Sequence, residues 1–228
     1  MLNERLTEVF RFWRYGLTAL LLVVLPFAFV GYGLQLGLGA PLDLQEDTLF
    51  INWPTLVLLA LLYPLASGTL IAQMGALNKG QAASFTQCLS LSLAHAFPLL
   101  LCYALLIGAS YLGFLVLILP GVWLYARLSQ GPIIVLLEKQ HAVEGLRQSF
   151  MRTEKHQWQI FVGILVMASL ILIATLVSAS ISQALLGESP LGDVLHLLLT
   201  APVGVLLDIL IFRFYCLETP NTKPPLAP

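Results

Sequence analysis

The chain has 228 residues, of which 58% are hydrophobic and only 10% are charged, and its formal net charge is −1. A soluble domain carries about a quarter charged residues, so this chain has too few polar side chains to build a surface that faces water. With a mean hydropathy of +0.88, the composition predicts an integral membrane protein and argues against a soluble enzyme. No basic stripe is long enough to predict nucleic-acid binding.

Long apolar segments recur along the chain, and each is close to the about 20 residues that a helix needs to cross a bilayer. An amphipathic stretch at 2–13 leads into the first of them. A secretory signal peptide is the alternative for this start, but the apolar run exceeds the about 7–15 residues typical of such a peptide. The predicted spans are residues 15–36, 53–77, 91–108, 111–137, 158–184 and 194–215.

The predicted fold class is therefore all-α, a polytopic integral membrane protein with about six transmembrane helices. Residues 1–218 form its single transmembrane domain, with a polar loop at 41–52 and short amphipathic helices on the cytoplasmic side. The tail at 219–228 is rich in proline and is predicted to be disordered.

The turn between the third and fourth predicted spans has two possible positions. Residues 91–137 form one apolar run, long enough for two spans of about 20 residues each. The small residues from Gly108 to Gly113 favour a tight turn there, and Pro120 with Gly121 offers a later one. The earlier turn is preferred, because it places Arg127 in the cytoplasmic half of its span, where a long side chain reaches the interface more easily.

The positive charges predict the orientation of these spans, because cytoplasmic loops are enriched in Lys and Arg. In this layout the loops on one side contain no Lys or Arg and carry acidic residues such as Asp43 and Asp193. The basic residues on the other side are Arg5, Arg11, Arg14, Lys79, Lys139, Arg147, Arg152, Lys155 and Lys223, with Arg127 and Arg213 near the same edge. Both termini are therefore predicted to be cytoplasmic.

Glycine, serine and proline are interpreted through helix packing. Gly33 and Gly37 form a GxxxG pattern, and Ala174, Ser178 and Ser182 form a face of small residues in the fifth predicted span. Such faces let neighbouring helices approach closely in a bilayer. A proline stands in every predicted span but the fifth, which predicts kinked helices or, as the alternative, a gated pathway.

Two short polar segments indicate an internal repeat. Residues 77–82 (LNKGQA) resemble residues 137–142 (LEKQHA) at an offset of 60 positions. Each segment follows a span that enters the cytoplasm and precedes a short helix and a returning span. One hypothesis is that spans two and three and spans four and five are parallel repeats, and the alternative is chance similarity between two short loops.

Residues 138–157 form the most polar stretch of the chain. Apolar positions, among them Val143, Leu146 and Phe150, share one helical face, and basic side chains lie between them. This pattern predicts a helix that lies on an anionic inner leaflet. The predicted contacts with anionic lipids are Lys139, Arg147, Arg152 and Lys155.

Arg127 and Asp208 are the candidate functional residues inside the membrane, where a charge costs about 2.5–3.5 kcal/mol on insertion scales. Both fall in the cytoplasmic halves of their spans, so a buried Arg127–Asp208 pair with a transport or ligand role is one hypothesis. The alternatives are structural, in that each side chain reaches the interface or Asp208 pairs with Arg213.

Several motifs together resemble a known family. They are Leu119-Pro120-Gly121-Val122-Trp123, Arg127, Pro132-Ile133-Ile134-Val135, Ala142, Arg147-Gln148-Ser149-Phe150, Thr153 and the closing Phe212-Arg213-Phe214-Tyr215. With these motifs the chain resembles the YciC-like family of bacterial inner-membrane proteins, and similar helices occur in the membrane domains of some glycerophosphodiester phosphodiesterases. The resemblance implies a multi-pass location in the bacterial cytoplasmic membrane and a role in envelope maintenance, and it implies no catalytic residue.

The sequence predicts no catalytic site, metal site or cofactor, because no nucleophile motif, phosphate loop or metal-ligand spacing occurs. The expected function is a non-enzymatic membrane protein that supports envelope integrity or membrane and lipid organisation. Its expected partners are membrane lipids, including anionic ones, and other membrane proteins. A small-solute transporter or permease is the alternative, and a membrane-embedded lipid enzyme is the third possibility.

Overall fold

The structure, a computed structural model, describes residues 2–45, 48–187 and 189–218. Nine α-helices and one two-stranded hairpin make up most of this part of the chain. The helices are α1 (Leu2–Leu38), α2 (Trp53–Asn78), α3 (Phe85–Ala94), α4 (Ala96–Val116), α5 (Ile118–Leu128), α6 (Gly131–Leu137), α7 (Ala142–Arg152), α8 (Gln157–Leu186) and α9 (Pro190–Glu218). The tail at 219–228, predicted to be disordered, lies outside the described residues.

Five of the helical segments are long and apolar enough to cross a membrane. They are Glu4–Leu38, Trp53–Asn78, Ala96–Val116, Ala142–Leu186 and Pro190–Glu218. In a bilayer the backbone N–H and C=O groups must be hydrogen-bonded within the protein, and helices pair most of them within the segment. The predicted all-α class is confirmed, and the helices have the length and composition of a membrane protein.

The predicted fourth span, 111–137, is not one helix. α5 ends at Leu128 and α6 begins at Gly131, so the segment is broken at Ser129 and Gln130. Pro132 has no N–H, so the carbonyl of Leu128 loses its usual helical partner, and the chain starts a new helix with the proline in its first turn. The sequence showed this proline, but the prediction treated it as a kink within a continuous span.

The predicted turn at 108–113 is also wrong, because α4 continues through it to Val116. The turn is the single extended residue Leu117, with φ −166° and ψ 159°, and α5 follows at once. A Cβ atom added to Gly113 would lie 2.8 Å from the Cα atom of Gly121, so α4 and α5 meet backbone to backbone beside the turn. Gly113 therefore permits a close helix crossing and does not end a helix.

Two further segments differ from their predicted form. The polar loop at 41–52 contains an antiparallel hairpin of β1 (Leu42–Gln45) and β2 (Thr48–Ile51). The predicted third span, 91–108, crosses a helix boundary, since α3 ends at Ala94 and α4 begins at Ala96. A capping box between Ser84 and Gln87 starts α3, which makes it a separate helix before the long one.

The first and last helices run antiparallel. At one end, Nη2 of Arg213 in α9 lies 3.2 Å from Oε2 of Glu8 in α1. At the other end, the hydroxyl of Tyr32 in α1 donates to Oδ2 of Asp193 in α9 at 3.1 Å. The beginning of α1 and the end of α9 therefore lie at the same end of the helix bundle.

The packing roles predicted for small residues hold in one helix and fail in another. Ser178 and Ser182 are buried in α8, and Ser178 Oγ lies 2.8 Å from Nδ1 of His196 in α9, as a close-packing face requires. By contrast, a Cβ atom added to Gly33 or Gly37 would meet nothing within 4 Å. The GxxxG pattern of α1 therefore makes no close helix contact with the residues that the structure describes.

The order of elements is the one that the repeat hypothesis predicts. α2, α3 and α4 are followed by α5 with α6, α7 and α8, so each set has a first helix, a short helix and a long returning helix. In each set a hydroxyl donates to a carbonyl of the first helix, from Ser92 to Leu65 at 3.0 Å and from Thr153 to Arg127 at 3.2 Å. The repeat stays a prediction, because superposition of the two sets is its test.

Candidate functional site

Arg127 is buried near the end of α5, with only 4% of its surface exposed. Its guanidinium carbon lies 4.0 Å from the ring centroid of Phe150 and 5.7 Å from that of Trp123. Nη1 donates to Oε1 of Gln157 at 3.2 Å. The two aromatic rings attract the cation electrostatically and replace part of its lost hydration, so the side chain is held inside the protein.

The backbone at Arg127 is held as firmly as the side chain. Its carbonyl lies where the break between α5 and α6 disturbs the helical hydrogen bonds. It accepts hydrogen bonds from Ser149 Oγ at 2.8 Å and from Thr153 Oγ1 at 3.2 Å. Ser149 lies in α7, and Thr153 begins the 3-10 turn Thr153–His156 that follows it. The two hydrogen bonds therefore connect both elements to α5.

Arg127 and Asp208, the two intramembrane candidates, do not form an ion pair. Arg213 does not neutralise Asp208 either, since its guanidinium pairs with Glu8. Among the residues that the structure describes, Asp208 makes no ion pair, and the alternatives that gave it one are wrong. The two candidates therefore belong to separate sites.

Asp208 lies in the wall of a cavity of about 930 Å³ between α1, α2 and α9, to which α8 adds Ile171. The volume falls within the about 300–1,000 Å³ of typical small-molecule sites. The walls are mainly apolar side chains, among them Val24, Leu62 and Val205. Asp208 and Asp193 are the only charged residues in the lining within the described part of the chain.

The inner end of the cavity adjoins a group of tyrosines. Asp208 also lines a second, small cavity of about 20 Å³ together with Tyr63, Tyr103 and Tyr125. This space suffices for about one water molecule. The hydroxyls of Ser67 and Tyr103 are hydrogen-bonded to each other, and the rings of Tyr63 and Tyr103 meet edge to face at 5.2 Å. Asp208 thus lies between a large apolar space and a small one to which three tyrosines contribute.

The opposite end of the cavity carries a second polar group. Here Tyr32 donates its hydrogen bond to Asp193, and His196 is bonded to Ser178. Gln35 lines the same end. Asp193 and His196 each have a hydrogen-bond partner on a neighbouring helix, so these contacts hold the mouth of the cavity in shape.

The basic residues predicted to contact anionic lipids fall into two groups. Lys139, Arg147 and Lys155 are exposed, and Arg147 is only loosely paired with Glu144 at 3.7 Å. Arg152 is instead held by Glu138, with Nη2 to Oε2 at 2.8 Å, and also donates to Gln148. Three cations are therefore directed toward the surroundings, while the guanidinium of Arg152 connects α7 to the residue that follows α6.

Glu138 is the centre of a polar cluster at the end where α6, α7 and α9 meet. It accepts two hydrogen bonds from Arg152 and one, at 3.1 Å, from the hydroxyl of Tyr215. The hydrogen bond from Arg152 holds the pKa of the Glu138 carboxyl below its usual range, against the opposing effect of burial. The carboxylate is therefore ionised at neutral pH, and the cluster fixes the end of α9 against the amphipathic helix.

Comparison with protein-family models, with curated proteins and with solved structures finds no match to the chain. Within the described ranges, no group of three or more His, Cys, Asp or Glu side chains could hold a metal ion. The sequence pointed to Asp208 but missed the tyrosines beside it. The sequence feature that could have identified them is the placement of Tyr63, Tyr103 and Tyr125 inside apolar segments, where each hydroxyl needs a polar partner.

Proposed function

We propose that the chain is a multi-pass protein of the bacterial cytoplasmic membrane with six crossings. The antiparallel pairing of α1 and α9 supports this number, because a chain that starts and ends on one side of a membrane must cross it an even number of times. Five helical segments are long enough to cross. The sixth crossing is assigned to the broken α5–α6 segment, whose two helices of 11 and 7 residues have a summed length of about 27 Å.

The proposed orientation places both termini in the cytoplasm, because Lys and Arg are enriched in cytoplasmic loops. In intact cells an impermeant maleimide is expected to label Leu38→Cys and Leu191→Cys, in a background whose three native cysteines are replaced by alanine. Lys79→Cys and Arg147→Cys are expected to react only after the cells are permeabilised. All four positions are exposed, so their solvent access is comparable. Labelling of position 79 or 147 from outside would contradict the topology.

We further propose that the protein is non-enzymatic and supports envelope integrity through contacts with membrane lipids and with other membrane proteins. One observation supports the proposed lipid contact, namely the exposed surface formed by α7 and the start of α8. Val143 and Met151 are 65% and 61% exposed there, and Lys139, Arg147 and Lys155 are exposed beside them. Exposed apolar side chains among cations are the pattern of a helix lying at an anionic leaflet.

The attraction between these cations and an anionic leaflet is electrostatic, and the contributions of the individual cations add. Each Lys or Arg close to an anionic leaflet contributes about 1 kcal/mol, and the effect fades within a Debye length of about 8 Å at physiological salt. Arg152 adds little, because Glu138 neutralises it. The resemblance to the YciC-like family, which implies a role in envelope maintenance, also supports this proposal.

Tryptophan quenching by brominated lipids tests the lipid contact. Trp158 is 64% exposed beside the cationic face and Trp53 is 62% exposed at the start of α2, so single-tryptophan variants report on the two places. In bilayers of phosphatidylcholine and phosphatidylglycerol, brominated phosphatidylglycerol is expected to quench Trp158 more strongly than the brominated neutral lipid does. The triple variant Lys139→Glu, Arg147→Glu, Lys155→Glu is expected to remove this preference.

Trp53 is the control for that experiment, and it is expected to show no preference for the anionic lipid. Equal quenching of Trp158 by the two brominated lipids would contradict the proposal. Retention of the preference in the triple variant would also contradict it, since the named cations would then not be its source.

A small-solute transporter or permease is the second candidate function. The observation in its favour is the cavity of about 930 Å³ with Asp208 at its inner end. A transporter needs a polar group at depth in a space that a solute can enter, and Asp208 with Tyr63 supplies one. The lipid-contact function does not require this cavity, so the two functions are independent of each other.

A further inference from the structure

Acidic side chains are the charged groups that line the large cavity, and its histidine, His196, is hydrogen-bonded to Ser178. Its two charged lining residues are both carboxylates, Asp193 and Asp208, and no Lys or Arg lines it within the described part of the chain. An unpaired carboxylate in an apolar environment is unfavourable unless another group neutralises it. The charge distribution therefore favours a cation as the occupant of the cavity.

The two carboxylates are not equivalent. Asp193 accepts a hydrogen bond from Tyr32 at the mouth, which satisfies part of its charge. Asp208 at the inner end has no ion-pair partner among the described residues, because the nearby cation of α9, Arg213, is held by Glu8. A positive group that enters the cavity would therefore be bound most strongly at its inner end.

The walls of the cavity determine what the rest of the ligand must be. Most of the lining is aliphatic, and Phe27 and Tyr63 add aromatic rings. Aromatic faces attract organic cations, by about 0.5–1 kcal/mol where exposed and about 2 kcal/mol where desolvated. An inorganic cation would leave this apolar surface without a partner, whereas an ammonium group with an apolar body would cover it.

We propose that this cavity binds an amphiphilic organic amine, with its ammonium group at Asp208 and its apolar part against α1 and α2. The ligand is a free amine and not a phospholipid headgroup, because no lining cation is present to receive a phosphate. The site is separate from the exposed face of α7, so it goes beyond the lipid contact and its failure would leave that contact intact.

Three probes with one apolar body and different polar groups test the site. They are phenylhexylammonium, phenylhexanol and phenylhexanoate, measured by equilibrium dialysis against the full chain in phosphatidylcholine nanodiscs. The ammonium probe is expected to bind saturably and about tenfold or more tightly than the alcohol, with the carboxylate weakest. Empty nanodiscs give the background due to partition into lipid.

Two variants locate the binding. Asp208→Asn keeps the side-chain shape and is expected to reduce the ammonium affinity to that of the alcohol. Gly204 lines the cavity, and an added Cβ there would meet nothing within 4 Å, so Gly204→Phe is expected to fill the space and weaken both probes. Gly108 is equally open but lies on α4 away from the cavity, so Gly108→Phe is the control and should bind as the wild type does.

Several results would overturn the proposal. These are no saturable binding, equal affinity for the ammonium and alcohol probes, or a preference that survives Asp208→Asn. If Asp208→Asn did not fold, unchanged binding in Gly204→Phe would still overturn it. Strong competition by phosphatidylethanolamine added to the nanodiscs would assign the site to a lipid headgroup and would equally overturn the assignment to a free amine.

Discussion

Replacing Gly113 by leucine is expected to destabilise the protein by about 3 kcal/mol, toward the upper end of the about 1–3 kcal/mol that overpacking typically costs. A Cβ atom at this position would lie 2.8 Å from the Cα atom and 3.1 Å from the nitrogen of Gly121. Backbone atoms cannot rotate away as a side chain does, so α4 and α5 would have to separate. The measurement is the midpoint of unfolding when SDS is added to protein in mild detergent micelles.

Gly108→Leu is the matched control for this change. Gly108 lies on the same helix and is exposed, and an added Cβ would meet nothing within 4 Å. Its replacement is expected to leave the midpoint unchanged or to raise it slightly, because glycine within a helix costs about 1 kcal/mol relative to alanine. Equal effects of the two substitutions would show that the backbone crossing of α4 and α5 contributes nothing specific.

Replacing Arg127 by alanine is expected to lower the free energy of unfolding by about 2–4 kcal/mol. The change removes the cation from the rings of Phe150 and Trp123, leaves Gln157 without its partner and opens a space in the interior. The same SDS titration measures the loss. Arg147→Ala is the control, since the Arg147 side chain is 71% exposed and a surface charge contributes about 0–1 kcal/mol.

A double-mutant cycle separates the ring contact from the loss of volume. Arg127→Met keeps most of the aliphatic stem, and Phe150→Leu removes the aromatic face that lies 4.0 Å from the guanidinium. The coupling energy between the two changes is expected to be about 1–2 kcal/mol. A coupling near zero, or an Arg127→Ala variant as stable as Arg147→Ala, would mean that the stacked cation does not stabilise the fold.

The fold class could be predicted from the sequence because it depends on composition and on the length of apolar runs. The sequence does not show as clearly where a helix ends inside such a run, since a continuous apolar run lacks the polar residues that usually mark a turn. Gly113 and Gly121 were visible, but glycine serves turns and close helix crossings alike. Only the relative placement of α4 and α5 decides between the two uses, and that placement puts the turn at Leu117.

The candidate site was predictable only in part, for a related reason. A charge inside an apolar segment is conspicuous in a sequence, which is why Arg127 and Asp208 were found. The contacts of Arg127 are set by tertiary packing, since Phe150 and Gln157 lie far from it along the chain. Among the described residues, Asp208 is left without an ion pair because the arginine of α9 is held by Glu8, which is also distant in sequence. The cavity beside Asp208 is a space between three helices, and no pattern of residues along the chain predicts such a space.

The pairing of α1 with α9 has a consequence for how the protein is made. Arg213 follows Glu8, the residue to which it binds, by 205 positions, so it leaves the ribosome much later than Glu8 does. The wall of the cavity that carries Asp208 is likewise part of α9. During translation, α1 is therefore made well before α9, the helix to which Glu8 binds. A chain that stops before α9 lacks the Arg213 partner of Glu8 and the wall of the cavity that carries Asp208.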